Sequence, residues 1–131
     1  MPRASSREEG AVPGSDPVRA AVRRTDDVAI LELGGDLDVS SVAVVERSLS
    51  ELEAEAPPRL VIDLRGLTFL DSSGLRMIVA ADARARRDGR DLVLIRGPES
   101  VARVFRTTLL EWRLRMVDDP SEVPGWGDDR V

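Results

Sequence analysis

The chain contains neither cysteine nor histidine. Without cysteine there is no disulfide framework and no thiol nucleophile, and with both residues missing the usual zinc sites are excluded as well. Lysine is missing too, so every basic side chain is an arginine, whose guanidinium does not give up its proton. A general base near neutral pH would have to be a carboxylate or amine with a strongly shifted pKa. Self-contained hydrolase or transferase chemistry is therefore not expected, and no cofactor or metal is called for. No apolar run approaches the roughly 20 residues of a membrane span, and the N-terminus has no apolar stretch of the secretory kind. A cytoplasmic setting is expected. The net charge of -5 argues against direct contact with nucleic acid, which needs a clustered positive face. A local arginine stripe could still dock on an acidic protein.

What is present fits one domain. A chain of 131 residues, 42% of them hydrophobic, is long enough for one core and too short for two ordinary ones. Residues 1–18 are rich in proline, glycine and charge, and they are expected to form a disordered tail. Residues 19–119 make the domain. Residues 120–131 have the character of a flexible tail, with Trp126 expected to be exposed.

Within the domain the apolar pattern alternates between two periods. Val28 to Leu33 reads as a strand, paired as a hairpin with Arg19 to Arg24 through Thr25-Asp26-Asp27. Val42, Val45, Leu49 and Leu52 fall at helical spacing between a Ser40 or Ser41 cap and Pro57-Pro58. Leu60 to Leu64 is a short apolar run of the buried-strand type, bounded by Pro58 and Gly66. Thr68 to Ser73 then turns into a helix that carries Leu75, Ile78, Val79 and Ala83 on its sheet side and stops at Asp88-Gly89. Leu92 to Ile95 is a further strand. Pro98 opens a third helix with Val101, Val104, Phe105 and Thr108 on one face, and Leu114 to Val117 closes the series. The fold class is α/β, a mixed, mostly parallel sheet of four to five strands with helices packed on it through right-handed crossovers.

Two short motifs stand apart from this pattern. Gly34-Gly35-Asp36-Leu37-Asp38 lies between a strand and a helix, where glycines permit a βα turn and Asp38 helps cap the helix. Leu70-Asp71-Ser72-Ser73-Gly74-Leu75 lies between the next strand and helix, where a capping turn is again sufficient. In a parallel sheet, loops that leave the carboxyl ends of neighbouring strands converge on one edge, which brings Asp38 near Ser72. A phosphate on Ser72 would there meet free backbone N–H groups and the positive end of the helix dipole.

These residues resemble the STAS domain of bacterial anti-sigma factor antagonists. Gly35-Asp36-Leu37-Asp38 is similar to the family's Gly-Glu/Asp-Leu-Asp signature, and Leu67-Thr68-Phe69-Leu70-Asp71-Ser72-Ser73-Gly74-Leu75 to its phosphorylation loop. The resemblance runs from about Arg19 to Asp119, and the two motifs together are more specific than either alone. It implies a STAS-like single domain that is not an enzyme and that switches partners. Unphosphorylated, such a protein binds an anti-sigma factor serine kinase and frees a sigma factor. Phosphorylation at Ser72 switches binding off, and a metal-dependent serine phosphatase reverses it. Asp38, Asp71, Ser73 and Gly74 match positions that support the phosphosite, and the state implied is a monomer or weak homodimer. Arg76 stands where many members have glycine, Thr108 to Trp112 lacks the glycine of the family's Thr-Gly-Leu turn, and no C-terminal helix is evident.

With Leu75, Ile78, Val79 and Ala83 facing the sheet, Arg76, Ala80, Arg84 and Arg87 form an outer stripe. It is either an ordinary solvated face or, together with Asp36, a contact surface for an acidic partner. Two other classes of function remain. One is a non-switching STAS scaffold or subunit of a signalling or transport complex. The other is a small enzyme built on Asp38, Asp71 and Ser72, which the lack of lysine, histidine and a Walker loop disfavours.

Overall fold

The computed structural model describes residues 16–126, and along them strands and helices follow the order implied by the apolar pattern. β1 (Arg19–Arg24) and β2 (Val28–Leu37) form the hairpin, closed by Thr25, whose backbone N–H donates to the Val28 carbonyl at 2.9 Å. Then come α1 (Val42–Ala54), β3 (Arg59–Leu70), α2 (Ser72–Arg87), β4 (Asp91–Ile95), α3 (Glu99–Thr107) and β5 (Met116–Val117). The strand order in the sheet is the order in the chain, with β1 antiparallel to β2 and the remaining pairs parallel.

Sequential crossovers of one hand place all the helices on one side of a sheet. Val45, Leu49 and Leu52 of α1, Ile78 and Ala81 of α2, and Val101 and Phe105 of α3 accordingly share one cluster with Leu31, Ile62 and Leu94. The opposite face, made by Val28, Ile30, Val61, Val93 and Ile95, carries no α-helix among the described residues. It is closed by the segment after β5, where a short 3-10 turn (Pro120–Glu122) with an Asp119–Glu122 capping box delivers Val123 onto the strands. Val123 is buried, and each such aliphatic side chain contributes about 1.5–3 kcal/mol.

This corrects the expected tail from residue 120. Trp126 is half-buried against the same face, with the Arg23 guanidinium carbon 4.9 Å from its ring centroid, a cation–π distance. Arg59 also donates to the Pro124 carbonyl at 3.0 Å. At the other end, the expected leader reaches into the domain. Asp36 N–H donates to the Asp16 carbonyl at 2.8 Å, and Val18 packs on the main core. Residues 1–15 and 127–131 lie outside the described residues.

Four local expectations differ from the structure. β3 continues through Gly66 to Leu70, so Thr68–Leu70 is strand rather than turn, and β2 likewise runs through Gly34-Gly35-Asp36 to Leu37. The parallel pair accommodates this with register shifts at Glu32/Gly34 and Gly35/Asp36, where Gly35 takes φ +79°. The buried side of α2 is Gly74, Met77, Ile78, Ala81, Asp82 and Ala85, while Leu75 and Val79 flank it half-buried and Ala83 is exposed. On α3, Ala102 replaces Thr108 in the core, Val104 is half-buried, and the exposed Thr108 hydroxyl donates to the Val104 carbonyl. The missing glycine after α3 is replaced by Leu109 itself in the left-handed conformation (φ 62°), followed by a 3-10 turn over Leu110–Trp112.

Candidate functional site

The carboxyl ends of β2 and β3 are adjacent, so the two motif loops leave the sheet side by side. Asp71 joins them. One carboxylate oxygen accepts from the N–H groups of Ser73 at 2.8 Å and Gly74 at 3.1 Å, and the other accepts from Val39 N–H, in the β2–α1 loop, at 3.1 Å. Its own N–H donates to the Leu37 carbonyl at 3.1 Å. Asp71 is thus the N-cap of α2, and Ser72 is the first helical residue rather than the cap. A carboxylate there also complements the positive end of the helix dipole.

Ser72 is exposed and Ser73 half-buried. Two donors of the first turn, those of Ser73 and Gly74, are not free for an added anion, because Asp71 already holds them. That differs from the open nest expected from the sequence. Gly74 has a packing role, since a Cβ at that position would stand 2.6 Å from Leu70 Cδ1 and 2.8 Å from Leu37 Cγ. The first turn of α2 therefore lies directly on the ends of both strands, which fixes where Ser72 points out.

Asp38 shapes the neighbouring loop. Its carboxylate accepts from the Ser40 hydroxyl at 2.6 Å and Ser40 N–H at 3.0 Å, an Asx-type turn ahead of α1. The Ser40 hydroxyl, more than any other contact, holds the Asp38 carboxyl below its ordinary value, although slight desolvation opposes it. Ser41, at the α1 N-cap, uses its hydroxyl backwards, donating to the Asp36 carbonyl at 2.9 Å and accepting from Asp38 N–H at 3.0 Å. Asp36 accepts from the Thr68 hydroxyl at 2.6 Å and from Asp16 N–H at 3.0 Å. Its carboxylate ties three segments together rather than reaching outward.

The arginine stripe divides. Arg76 and Ala80 are exposed on α2, and among the described residues the Arg76 guanidinium reaches only the Ser73 hydroxyl, at 3.4 Å. Arg84 is engaged by Glu53 of α1 at 3.0 Å, which clamps the two helices. What the sequence reading passed over is apolar. Val39 is 73% exposed in the loop that meets Asp71, and Phe69 is 50% exposed two residues before it. Large apolar side chains at the polar mouth of a βα loop have no core to enter, and that placement is the signal that could have marked them. Ser72 therefore sits in a surface with acidic, basic and apolar elements. Among the described residues, no group of three or more acidic side chains is placed to hold a metal ion, and no helix is long and apolar enough to cross a membrane.

The family model described as "Mlab, STAS domain" matches residues 20–116. The anti-sigma-F factor antagonist RsfB of Mycobacterium tuberculosis is 33% identical over 82 residues, which cover 63% of this chain and 67% of that protein. An anti-sigma-B factor antagonist of Staphylococcus epidermidis is 28% identical over 98 residues, covering 75% of this chain and 90% of that one. Among solved structures, an anti-sigma factor antagonist from Mycobacterium paratuberculosis aligns with a TM-score of 0.73 at 23% identity, over 86% of this chain and 93% of that one. At that identity the likeness is one of fold.

Proposed function

The chain belongs to the STAS domain family, and on that footing we propose that it is an anti-sigma factor antagonist switched by phosphorylation of Ser72. In its unphosphorylated form it binds an anti-sigma factor that is also a serine kinase, and so frees a sigma factor. A metal-dependent serine phosphatase resets it in the cytoplasm. One observation carries this reading: Asp71 caps α2 and ties it to the β2–α1 loop, so that Ser72 is presented outward on a rigid edge beside exposed Val39 and Phe69.

The geometry supports a switch by charge. A phosphoryl group adds about -1.5 to -2 charge. At Ser72 it would stand next to the Asp71 carboxylate, whose bonds to Ser73 and Gly74 leave it no donors from those residues. In a desolvated interface that charge gets no compensation from the Ser73 and Gly74 donors, which Asp71 holds. Weakening a complex a hundredfold takes about 2.7 kcal/mol, within reach of one uncompensated buried charge. Arg76 and Ala80 extend the contact surface along α2, while Asp36, Asp38 and Arg84 hold its shape.

The test uses the full chain, ATP and the anti-sigma factor kinases encoded in the same genome, with phosphosite mapping and affinity measured together. Label on Ser72 that is absent from Ser72→Ala, with Ser72→Glu binding the kinase at least about a hundredfold more weakly, is the expected result. Tight assembly that is indifferent to Ser72→Glu, with no label from any kinase, would replace the switch by a scaffold role.

A further inference from the structure

At the far end of α2, about 24 Å from Ser72 at the usual helical rise, lies a cavity of about 250 Å³ between α2, the start of β4 and the segment leading into β5. Buried Leu92 and Leu114 form its apolar floor. Around them stand Arg86, Arg90, Arg113 and Arg115, opposed by Asp82 and Asp91. Both carboxylates are already engaged. Asp82 accepts from Arg86 Nε at 2.8 Å, and Asp91 accepts from Arg59 at 2.7 Å with Arg115 at 3.9 Å.

Arg90 is the unusual member. Its side chain is 8% exposed, its Nη2 stands 3.7 Å from Asp88, and its Nη1 is buried without a hydrogen-bond partner among the described residues. A buried guanidinium donor without an acceptor is unfavourable, and because Arg90 lines the cavity a small turn of its guanidinium would bring that donor to an oxyanion there. Arg113 adds a second cation whose side chain has no ion pair or hydrogen bond among the described residues, while its carbonyl accepts from Arg86 Nη2 at 2.6 Å.

We infer that this cavity is an anion site for a small phosphate-type oxyanion, held by Arg90 from within and Arg113 from the rim. Two guanidinium groups suit the tetrahedral oxygens, and the apolar floor strengthens the attraction by keeping water from one side. The volume falls below that of ordinary ligand pockets, which matches an inorganic phosphate or the phosphoryl end of a small ester rather than a nucleotide. The site is independent of Ser72 and does not rest on the switch.

Isothermal titration of the full chain with inorganic phosphate, and separately with glycerol phosphate, at ionic strength held constant with sodium chloride, tests the inference. Saturable binding is expected, and whichever of the two binds more tightly identifies a free ion or an organic ester as the natural source. Arg113→Ala, exposed and therefore harmless to folding, should weaken it about tenfold or more, the loss of one charge-assisted hydrogen bond. Arg90→Met should abolish it, and Arg47→Ala on α1, which removes an equal charge elsewhere, should leave it unchanged. No saturable heat with either ligand, or equal weakening by Arg47→Ala and Arg113→Ala, overturns the site.

Discussion

Replacing Asp71 with alanine removes three hydrogen bonds at once, two from the first turn of α2 and one from Val39. Loss of an N-cap costs about 1 kcal/mol and up to about 2 where the helix end is well packed, as Gly74 against Leu37 and Leu70 makes this one. The Val39 bond is at the surface and adds only about 0.5 kcal/mol. The sum is about 1.5–2.5 kcal/mol, which lowers the melting temperature by roughly 10 °C in a domain of this size. Asp71→Asn separates the parts. Its amide oxygen still caps Ser73 and Gly74, while its NH2 cannot accept from Val39, so it should lose only the smaller share. Thermal unfolding followed by circular dichroism, with urea titration for the free energies, distinguishes the two variants. A fall of less than about 3 °C in Asp71→Ala, or equal falls for alanine and asparagine, would refute the bridging role assigned to this carboxylate.

Two further outcomes follow from local geometry. Leu109→Gly should stabilise the domain by about 0.5–1 kcal/mol in urea, because the leucine holds a left-handed φ of 62° at a site where it is mostly exposed and buries little; an unchanged or lower midpoint contradicts this. The Asp38 carboxyl is depressed in the fold, so its contribution is complete above its ordinary value of 3.8 and is lost as pH falls through the lower folded value. Ser40→Ala removes the principal cause, and the Asp38 titration followed by NMR should then move upward; a midpoint that does not move rules out the Ser40 hydroxyl as that cause.

Element order and direction were legible because they depend on apolar period and on prolines and glycines at element ends. Val45, Leu49 and Leu52 of α1, and the buried runs of β3 and β4, occupy the core as their spacing requires. The face of α2 was harder to read. Gly74, Ala81 and Ala85 let the helix approach the sheet beside buried Met77 and Ile78, while Leu75 and Val79 stand at its margin. Hydrophobicity ranks the small residues below Leu75 and Val79. Around Ser72 the sequence marks the loop but does not say which of two adjacent polar residues caps the helix. That choice depends on Asp71 also meeting Val39, which lies 32 positions away along the chain. The packing of Trp126 is hidden from the sequence for a similar reason. Its partners, Arg23 and the face of the sheet opposite the three helices, are remote in sequence, and the prolines around it suggest only a loose end.

The sheet's two margins have a consequence of their own. On one side it ends in β1, where three of six residues are arginine, and on the other in β5, which is two residues long. Charged or very short edge strands give poor templates for a foreign strand. Neither margin invites the sheet to propagate into a neighbour, so copies crowded together are kept from zippering into fibres. A partner would have to meet side chains on loops and helices, where contacts form and part without any backbone ladder having to be broken.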